Sequence, residues 1–191
     1  MTIKGAKKYC GIWNENLEAS LVTMEKRDYQ QKAVELVEYG DRFLAVCGAS
    51  RVGKSWILSA YANDLIELHF NSENFEAWMD DDIKKRLRTV VQYMTFFEFE
   101  LKLRTAQTQG TMYELYEQML SPRVLIIDEY GRGKWSDFTA TFFQNVLIKR
   151  YGEKKKTIIG SNLLQRELLE MMDIAIVERL GVGNIITIKK S

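Results

Sequence analysis

Hydrophobic positions in this chain fall into two patterns: short unbroken runs, and stripes in which apolar residues recur three and four apart. The first 28 residues show neither pattern; they are polar and mixed, with a small basic start at Lys4, Lys7 and Lys8. Over 28–39 the spacing of Tyr29, Ala33, Leu36 and Val37 predicts a helix. RFLAVC (42–47) is then an apolar run between Gly40 and Gly48, the signature of a buried strand. Beyond the glycine-bearing loop at 48–53, residues 56–70 read as helix. Phe75, Trp78, Met79, Ile83 and Leu87 place a further helix over 73–87. TVVQYM (89–94) is a second strand. FEFELKLR (97–104) is ambiguous, because it alternates as a strand does, yet Phe97 with Leu101, and Phe96 with Phe99 and Leu103, also share a helical face. Met112, Leu115, Tyr116, Met119 and Leu120 predict a helix over 111–120, and RVLIID (123–128) a strand. Phe138, Phe142, Phe143, Val146 and Leu147 mark a helix over 137–151, followed by the strand KTIIGSN (156–162). A helix carrying Leu164, Leu168, Leu169 and Met172 and a short strand in NIITIKK complete the series. Strands alternating with helices predict an α/β fold with a parallel sheet covered on both faces.

Composition narrows the class without naming a chemistry. The 191 residues fit one domain, and 46% hydrophobic with 28% charged residues is the balance of a folded chain. Lys and Arg total 27 against 26 Asp and Glu, a net charge of +1. Bulk positive charge is therefore excluded as a means of holding nucleic acid, and such contacts must come from local patches. No apolar run approaches the roughly 18 residues of a membrane span, and no signal-peptide core opens the chain, so no membrane partner is expected. The two cysteines, Cys10 and Cys47, are too few for a disulfide scaffold. Cys47 ends an apolar run and reads as a buried thiol, which fits a reducing cytoplasm. A single proline argues for a compact, helix-rich fold.

The candidate chemistry is concentrated in two places. Residues 48–55 read GASRVGKS, a full match to the phosphate-loop pattern, with a strand before it and a helix after it. Here Gly48 and Gly53 let the backbone turn, so that N–H groups from Gly48, Ala49, Ser50, Arg51, Val52 and Gly53 wrap a phosphate. Lys54 reaches the outer phosphates, the Ser55 hydroxyl ligates Mg²⁺, and the helix N-terminus adds positive potential. VLIIDE (124–129) then delivers Asp128 and Glu129 to the carboxyl edge of the sheet, where open parallel sheets bind ligands. Asp128 is expected to hold Mg²⁺ through water, and Glu129 to orient or deprotonate an attacking water. Asn162, at the end of KTIIGSN, reaches the same edge and can orient that water, although an Asn at a strand end also serves as a turn former. Arg179 lies at the end of a helical stretch, where a lone arginine is ordinarily a solvated surface group.

Taken together, these strings stop looking independent. The run IKRYGEKKKTIIGSNL (148–163), with IIDEYG upstream and VERLG downstream, resembles the DnaC/DnaI-type helicase loaders. The related IstB-type transposition helper ATPases share the pattern, and both groups are AAA+ proteins. The resemblance covers about residues 28–188 and implies a P-loop fold of AAA+ type with a five-stranded parallel sheet in the order 5-1-4-3-2. It implies ATP and Mg²⁺ as cofactors, Asn162 as the sensor-1 residue, and Arg179 as an arginine finger acting in trans within a ring or spiral homo-oligomer. Arg150 of the R-Y pair is a second arginine for interface or structural work. The implied partners are single-stranded DNA and a replicative helicase, or another replication or transposition protein. For the DNA, Lys102 and Arg104 follow the second strand, and Arg132 and Lys134, with Trp135, follow the acidic pair. These are expected on loops or helix ends facing a pore, with a merely solvated face as the open alternative. EKKKT (153–157) is expected as a loop at the opposite edge of the sheet.

The chain also departs from that pattern. Only 47 residues precede Gly48, so 1–27 is expected as a short docking segment ahead of an ATPase core over 28–191, without a full C-terminal lid. A sensor-2 arginine is expected to be absent or replaced by Lys189 or Lys190, and the helix over 73–87 is an extra element. Two other readings remain open at this stage. One is a superfamily 3 replication helicase core, against which the 74-residue separation of Lys54 and Asp128 weighs. The other is a regulatory module that binds a host loader or initiator, against which an intact Glu129 and Arg179 weigh.

Overall fold

The structure is a computed structural model and describes residues 1–22, 28–72, 80–131, 136–181 and 184–189. Five apolar runs become the parallel strands β1 (Phe43–Gly48), β2 (Val91–Thr95), β3 (Val124–Tyr130), β4 (Lys156–Ser161) and β5 (Ile185–Ile188). Their spatial order is β2-β3-β4-β1-β5, the expected order read from the other edge. β1 is thus an interior strand, flanked by the two strands latest in sequence, and its carboxyl end opens at the reversal of strand order.

Strand alternation sorts the side chains into two cores. Leu44 and Val46 of β1, Tyr93 of β2 and Ile126 of β3 face one side. There they meet the helices α1 (Ile3–Tyr9), α2 (Asp28–Tyr39), α3 (Lys54–Ser72) and α4 (Asp80–Arg88). Phe43, Ala45 and Cys47 of β1, with Leu125 and Ile127 of β3, face the other side. That side is covered by α5 (Phe96–Gln109), α6 (Met112–Leu120), α7 (Asp137–Gly152), α8 (Gln165–Met171) and α9 (Ile174–Leu180). The strands are buried on both faces, as a parallel sheet requires. Among the described residues, no helix is long and apolar enough to cross a membrane.

The ambiguous stretch after β2 is helical, and its boundary chemistry explains why. Thr95 accepts at Oγ1 from the Glu98 backbone N–H (3.1 Å), while its own N–H donates to Glu98 Oε2 (2.7 Å). This reciprocal pair fixes a helix start immediately after the strand. Phe96, Phe99 and Leu103 then face the core, while Phe97 and Leu101 are exposed. Of the helix expected over 73–87, the part from Asp80 onward is seen, running to Arg88 with Ile83 and Leu87 buried; residues 73–79 lie outside the described residues.

The amino-terminal residues are ordered into the core. After α1, a 3₁₀ turn (Asn14–Asn16) leads to Ala19 and Leu21, and Ala6, Cys10, Ile12 and Leu17 are buried alongside. The Asn63 amide of α3 donates to the carbonyls of Asn16 and Ala19, both at 2.8 Å. Lys7 Nζ donates to the Leu17 carbonyl and pairs with Glu67, each at 2.6 Å, and Asp64 accepts from the Leu21 N–H. Cys10 presents its carbonyl to the Tyr93 N–H at 2.8 Å, partnering a backbone donor of the edge strand β2.

Candidate nucleotide site

The phosphate loop leaves the fully buried β1 at Gly48 and enters α3 at Lys54. Gly53 has φ +95°, and a Cβ there would sit 2.3 Å from Gln30 Nε2. The loop therefore needs glycine at this position both for its turn and for its contact with α2. Gln30 itself is buried and donates from Nε2 to the Val52 carbonyl (3.0 Å), tying the loop to α2. Ala49, Ser50 and Arg51 form the exposed rim of the loop, and Arg51 has a left-handed backbone (φ +66°). The Lys54 ammonium is buried and donates to the Gly48 and Ala49 carbonyls, both at 2.8 Å. Desolvation lowers its pKa, and the nearby carboxylates of Asp128 and Glu129 push the other way. That coupling brings the two sequence-separated motifs into one electrostatic site. Ser55 follows in the first turn of α3, half-buried.

Asp128 is 1% exposed, and its carboxylate is held from two sides. Oδ1 accepts from the Glu129 N–H at 2.8 Å, and Oδ2 accepts from the Tyr93 hydroxyl at 2.7 Å. The local backbone makes this possible. Ile127 pairs with Ile159, but the next pairing is Tyr130 with Ser161, so β3 carries one more residue than β4 across this stretch. Glu129 takes the left-handed conformation (φ +56°) within that irregularity. Gly160 lies opposite, where a Cβ would stand 2.4 Å from Asp128 Oδ1 and 2.6 Å from Leu58 Cδ1. The strand glycine is thus the space in which the carboxylate sits. Burial, the Asp128 charge and the Asp128 hydrogen bond all raise the Tyr93 pKa, keeping the phenol a proton donor at neutral pH.

Asn162 is exposed directly beyond β4, at the same carboxyl edge. Ser161 fixes its approach, donating from Oγ to the Tyr130 carbonyl (2.7 Å) and accepting from the Leu163 N–H (3.1 Å). Arg179 is half-buried in the last turn of α9, where it donates to the Ala175 carbonyl and lies 5.8 Å from the Tyr151 ring centre. Arg150 behaves differently. It is fully buried, with Nε on Thr157 Oγ1 (2.9 Å), Nη1 on the Met119 and Pro122 carbonyls (3.0 and 2.9 Å) and Nη2 on the Lys156 carbonyl (2.6 Å). Its work is to tie the end of α6 to the start of β4.

The DNA candidates divide. Lys102 and Arg104 are exposed, but they lie in the middle of α5 rather than on a loop or helix end. Two positions apart on a helix, they do not share a face. Lys102 instead borders a cleft of about 450 Å³ with Arg88, Leu101, Thr105, Glu114 and Gln118. Arg132, Lys134 and Trp135 lie outside the described residues, as does Lys190, while Lys189 is exposed after β5. Of the loop expected over 153–157, only 153–155 lie outside regular structure: Lys156 and Thr157 already belong to β4, with Thr157 buried, at the strand end opposite the phosphate loop.

The donor set fits a divalent cation held mainly by phosphate. Among the described residues no group of three His, Cys, Asp or Glu gathers to enclose a metal. A single buried carboxylate and a helix-start hydroxyl, Asp128 and Ser55, match the sparse protein ligation with which Mg²⁺ accompanies nucleotides. Sequence reasoning reached Lys54, Ser55, Asp128 and Glu129 but passed over Gln30, Tyr93 and Gly160. For Gly160, the signal was a glycine inside a strand.

The sheet order, the loop at the end of β1 and the acidic pair at the end of β3 define a P-loop protein of AAA+ type. The chain belongs to the IstB-like ATP binding protein family, whose model matches residues 81–180. That span includes Asp128, Glu129, Asn162 and Arg179. No curated protein matches the chain. Among solved structures, it is similar to DnaI, with 22% identity, TM-score 0.64, and 94% of this chain and 95% of that one covered. It is also similar to the DnaC helicase loader, with 22% identity, TM-score 0.63, and coverage of 96% and 99%. AMPPCP-bound DnaA from Aquifex aeolicus matches at 19% identity and TM-score 0.71 over 91% of this chain. The chain spans about half (51%) of that DnaA chain.

Proposed function

We propose that this protein is a Mg²⁺-dependent ATP hydrolase that assembles as a homo-oligomer on single-stranded DNA and there places or remodels a replicative helicase. The observation that carries the ATPase reading is that the phosphate loop with Lys54, at the end of β1, opens at the same sheet edge as a buried, doubly hydrogen-bonded Asp128 and the adjacent Glu129, at the end of β3. Loop N–H groups and Lys54 bind the phosphates, and Lys54 exchanges its two carbonyl partners for phosphate oxygens. Ser55 and Asp128 hold Mg²⁺, which when bound neutralises charge building on the phosphates. Glu129 takes the proton of the attacking water, and Asn162 orients that water from the exposed end of β4. Arg179 leaves the carbonyl of its own helix to reach the γ-phosphate in a neighbouring subunit, supplying charge where the transition state develops it.

Family membership favours a second partner class, since IstB-like proteins include transposition helpers by the resemblance described above. The ATPase chemistry is the same in both cases, and the protein captured by the ATP-bound oligomer decides between them. A pull-down that recovers a replicative helicase supports the first reading, and one that recovers a transposase supports the second.

The site is tested by three variants. Lys54→Ala is expected to abolish ATP binding. Glu129→Gln is expected to keep binding and lose hydrolysis by about 100-fold or more. Arg179→Ala should bind ATP normally while losing the part of hydrolysis that rises with protein concentration. Normal hydrolysis by Arg179→Ala would remove it from the role of finger, and tight ATP binding by Lys54→Ala would overturn the site itself.

A further inference from the structure

The last turn of the phosphate loop is anchored on both sides of a single peptide group. On one side, the Val52 side chain is 3% exposed and packs in the core that α1–α4 cover. On the other, the Gly53 carbonyl accepts from the Ile57 N–H at 3.0 Å and so already belongs to the hydrogen-bond ladder of α3. The peptide group between them is a rigid plate, free in principle to rotate between two anchored Cα atoms. Such a flip changes φ of the second residue by about 180°, which most residues resist and glycine does not. Gly53, at φ +95°, therefore offers no resistance of its own.

What holds the plate is Gln30. Its buried side chain reaches from α2 and donates from Nε2 to the Val52 carbonyl (3.0 Å). The same nitrogen lies against Gly53, 2.3 Å from where a Cβ would stand. In a trans peptide the carbonyl and the N–H point in opposite directions. Drawing the Val52 carbonyl toward Gln30 thus turns the Gly53 N–H the other way. A flipped plate would exchange the two, setting a carbonyl dipole where an anion needs a donor.

We infer that Gln30 is a positioning residue for the phosphate loop, latching the Val52–Gly53 peptide so that the Gly53 N–H is presented to a nucleotide phosphate. In this scheme Gln30 acts on the loop backbone and not on the nucleotide itself. A loop that samples both orientations binds only through the correctly turned fraction, and its affinity falls by that fraction. Diphosphate and triphosphate suffer alike, since both must enter the same loop. The inference rests on the reading of residues 48–55 as a phosphate loop.

Equilibrium binding of fluorescent ATP and ADP analogues to the full chain, with thermal denaturation of each variant, is the first measurement. Lys54→Ala controls for the underlying reading, and wild-type analogue affinity from it would overturn the loop assignment itself. Given loss of binding there, Gln30→Met keeps the side-chain length and removes the donor. It is expected to weaken both analogues about tenfold. Gln30→Glu, whose carboxylate repels the Val52 carbonyl, should weaken both further. The second measurement reads the peptide by NMR. Valine labelled with ¹³C at the carbonyl, combined with ¹⁵N-glycine, selects only two peptide groups in this sequence, Val52–Gly53 and Val182–Gly183. In nucleotide-free Gln30→Met the Val52–Gly53 signal should split or broaden as two orientations interchange, and saturating ADP should restore one sharp signal. A role in packing alone would lower the denaturation midpoint while leaving affinity at the wild-type value, and that result overturns the inference. So does weakened binding with a single sharp Val52–Gly53 signal in the free variant. Should Gln30→Met fail to fold, Gln30→Glu is read in its place by the same two measurements.

Discussion

Arg150 shows how much a single residue's surroundings decide. In the sequence it is one of several arginines near a recognisable string, open between interface and structural work. In the structure its guanidinium is fully buried and bonded to three backbone carbonyls at 2.6–3.0 Å and to the Thr157 hydroxyl. Desolvation pushes its pKa down to about 10, still far enough above neutrality that the group stays charged. A planar fork with several donors is what this cluster of carbonyls requires, and a lysine cannot supply it. Arg150→Ala is therefore expected to cost about 3 kcal/mol or more in urea denaturation, because it leaves buried carbonyls unpaired. Arg150→Lys should fall between that variant and the wild type. Arg179, half-buried and bonded only to its own helix and a tyrosine face among the contacts described, should be nearly neutral for stability when changed to Ala. The contrast separates the two arginines by stability as well as by activity.

At the scale of elements, β1 to β5 can be read directly from apolar runs bounded by polar and glycine residues, because a parallel sheet buries both faces and leaves no alternation to misread. α5 is the instructive exception. Strict alternation in FEFELKLR argues for a strand, yet the preceding TFFE carries the Thr-x-x-Glu spacing of a capping box, and that local chemistry decides. Thr95→Ala is expected to lower stability by about 1 kcal/mol, read as a shift in the denaturation midpoint with unchanged slope. The candidate site divides in the same way. Its phosphate loop and acidic pair are contiguous motifs, each set by a tight run of sequence, and they are legible. Tyr93 lies 35 residues from Asp128, and Gln30 lies 22 from Val52, so only the folded chain brings these partners together. The amino-terminal segment escaped notice for a related reason. Its one helix, α1, is only seven residues long, and beyond it Ile12, Leu17, Ala19 and Leu21 pack irregularly with no sustained period of two or 3.6.

Across the whole molecule, the sheet separates two cores, and each core holds one thiol: Cys10 on the α1–α4 side and Cys47 on the α5–α9 side. They are 2% and 0% exposed, and burial raises each from 9.0 to about 12. At neutral pH both are therefore protonated and out of reach of a thiol reagent. A colorimetric disulfide reagent should find no fast-reacting thiol in the native protein and two after guanidinium unfolding. A fast-reacting thiol in the folded state would show that one core opens locally. The same shifts fix the sign of a pH dependence. Above about pH 9 the unfolded chain loses thiol protons that the folded chain retains, so the unfolded state binds fewer protons and stability falls as pH rises toward about 12. Below pH 9 the thiols contribute no slope. Tyr93 and Tyr130, also raised by burial, add to the decline only above the ordinary tyrosine value of 10.0. Between pH 9 and 10 the cysteines thus supply a falling slope, which Lys54 and Lys156, lowered from 10.5 by burial, oppose, so the cysteine share is read by comparison with a thiol-free variant. A Cys10→Ala/Cys47→Ala variant should lose stability less steeply there than the wild type, and parallel profiles would place the alkaline sensitivity outside the two thiols.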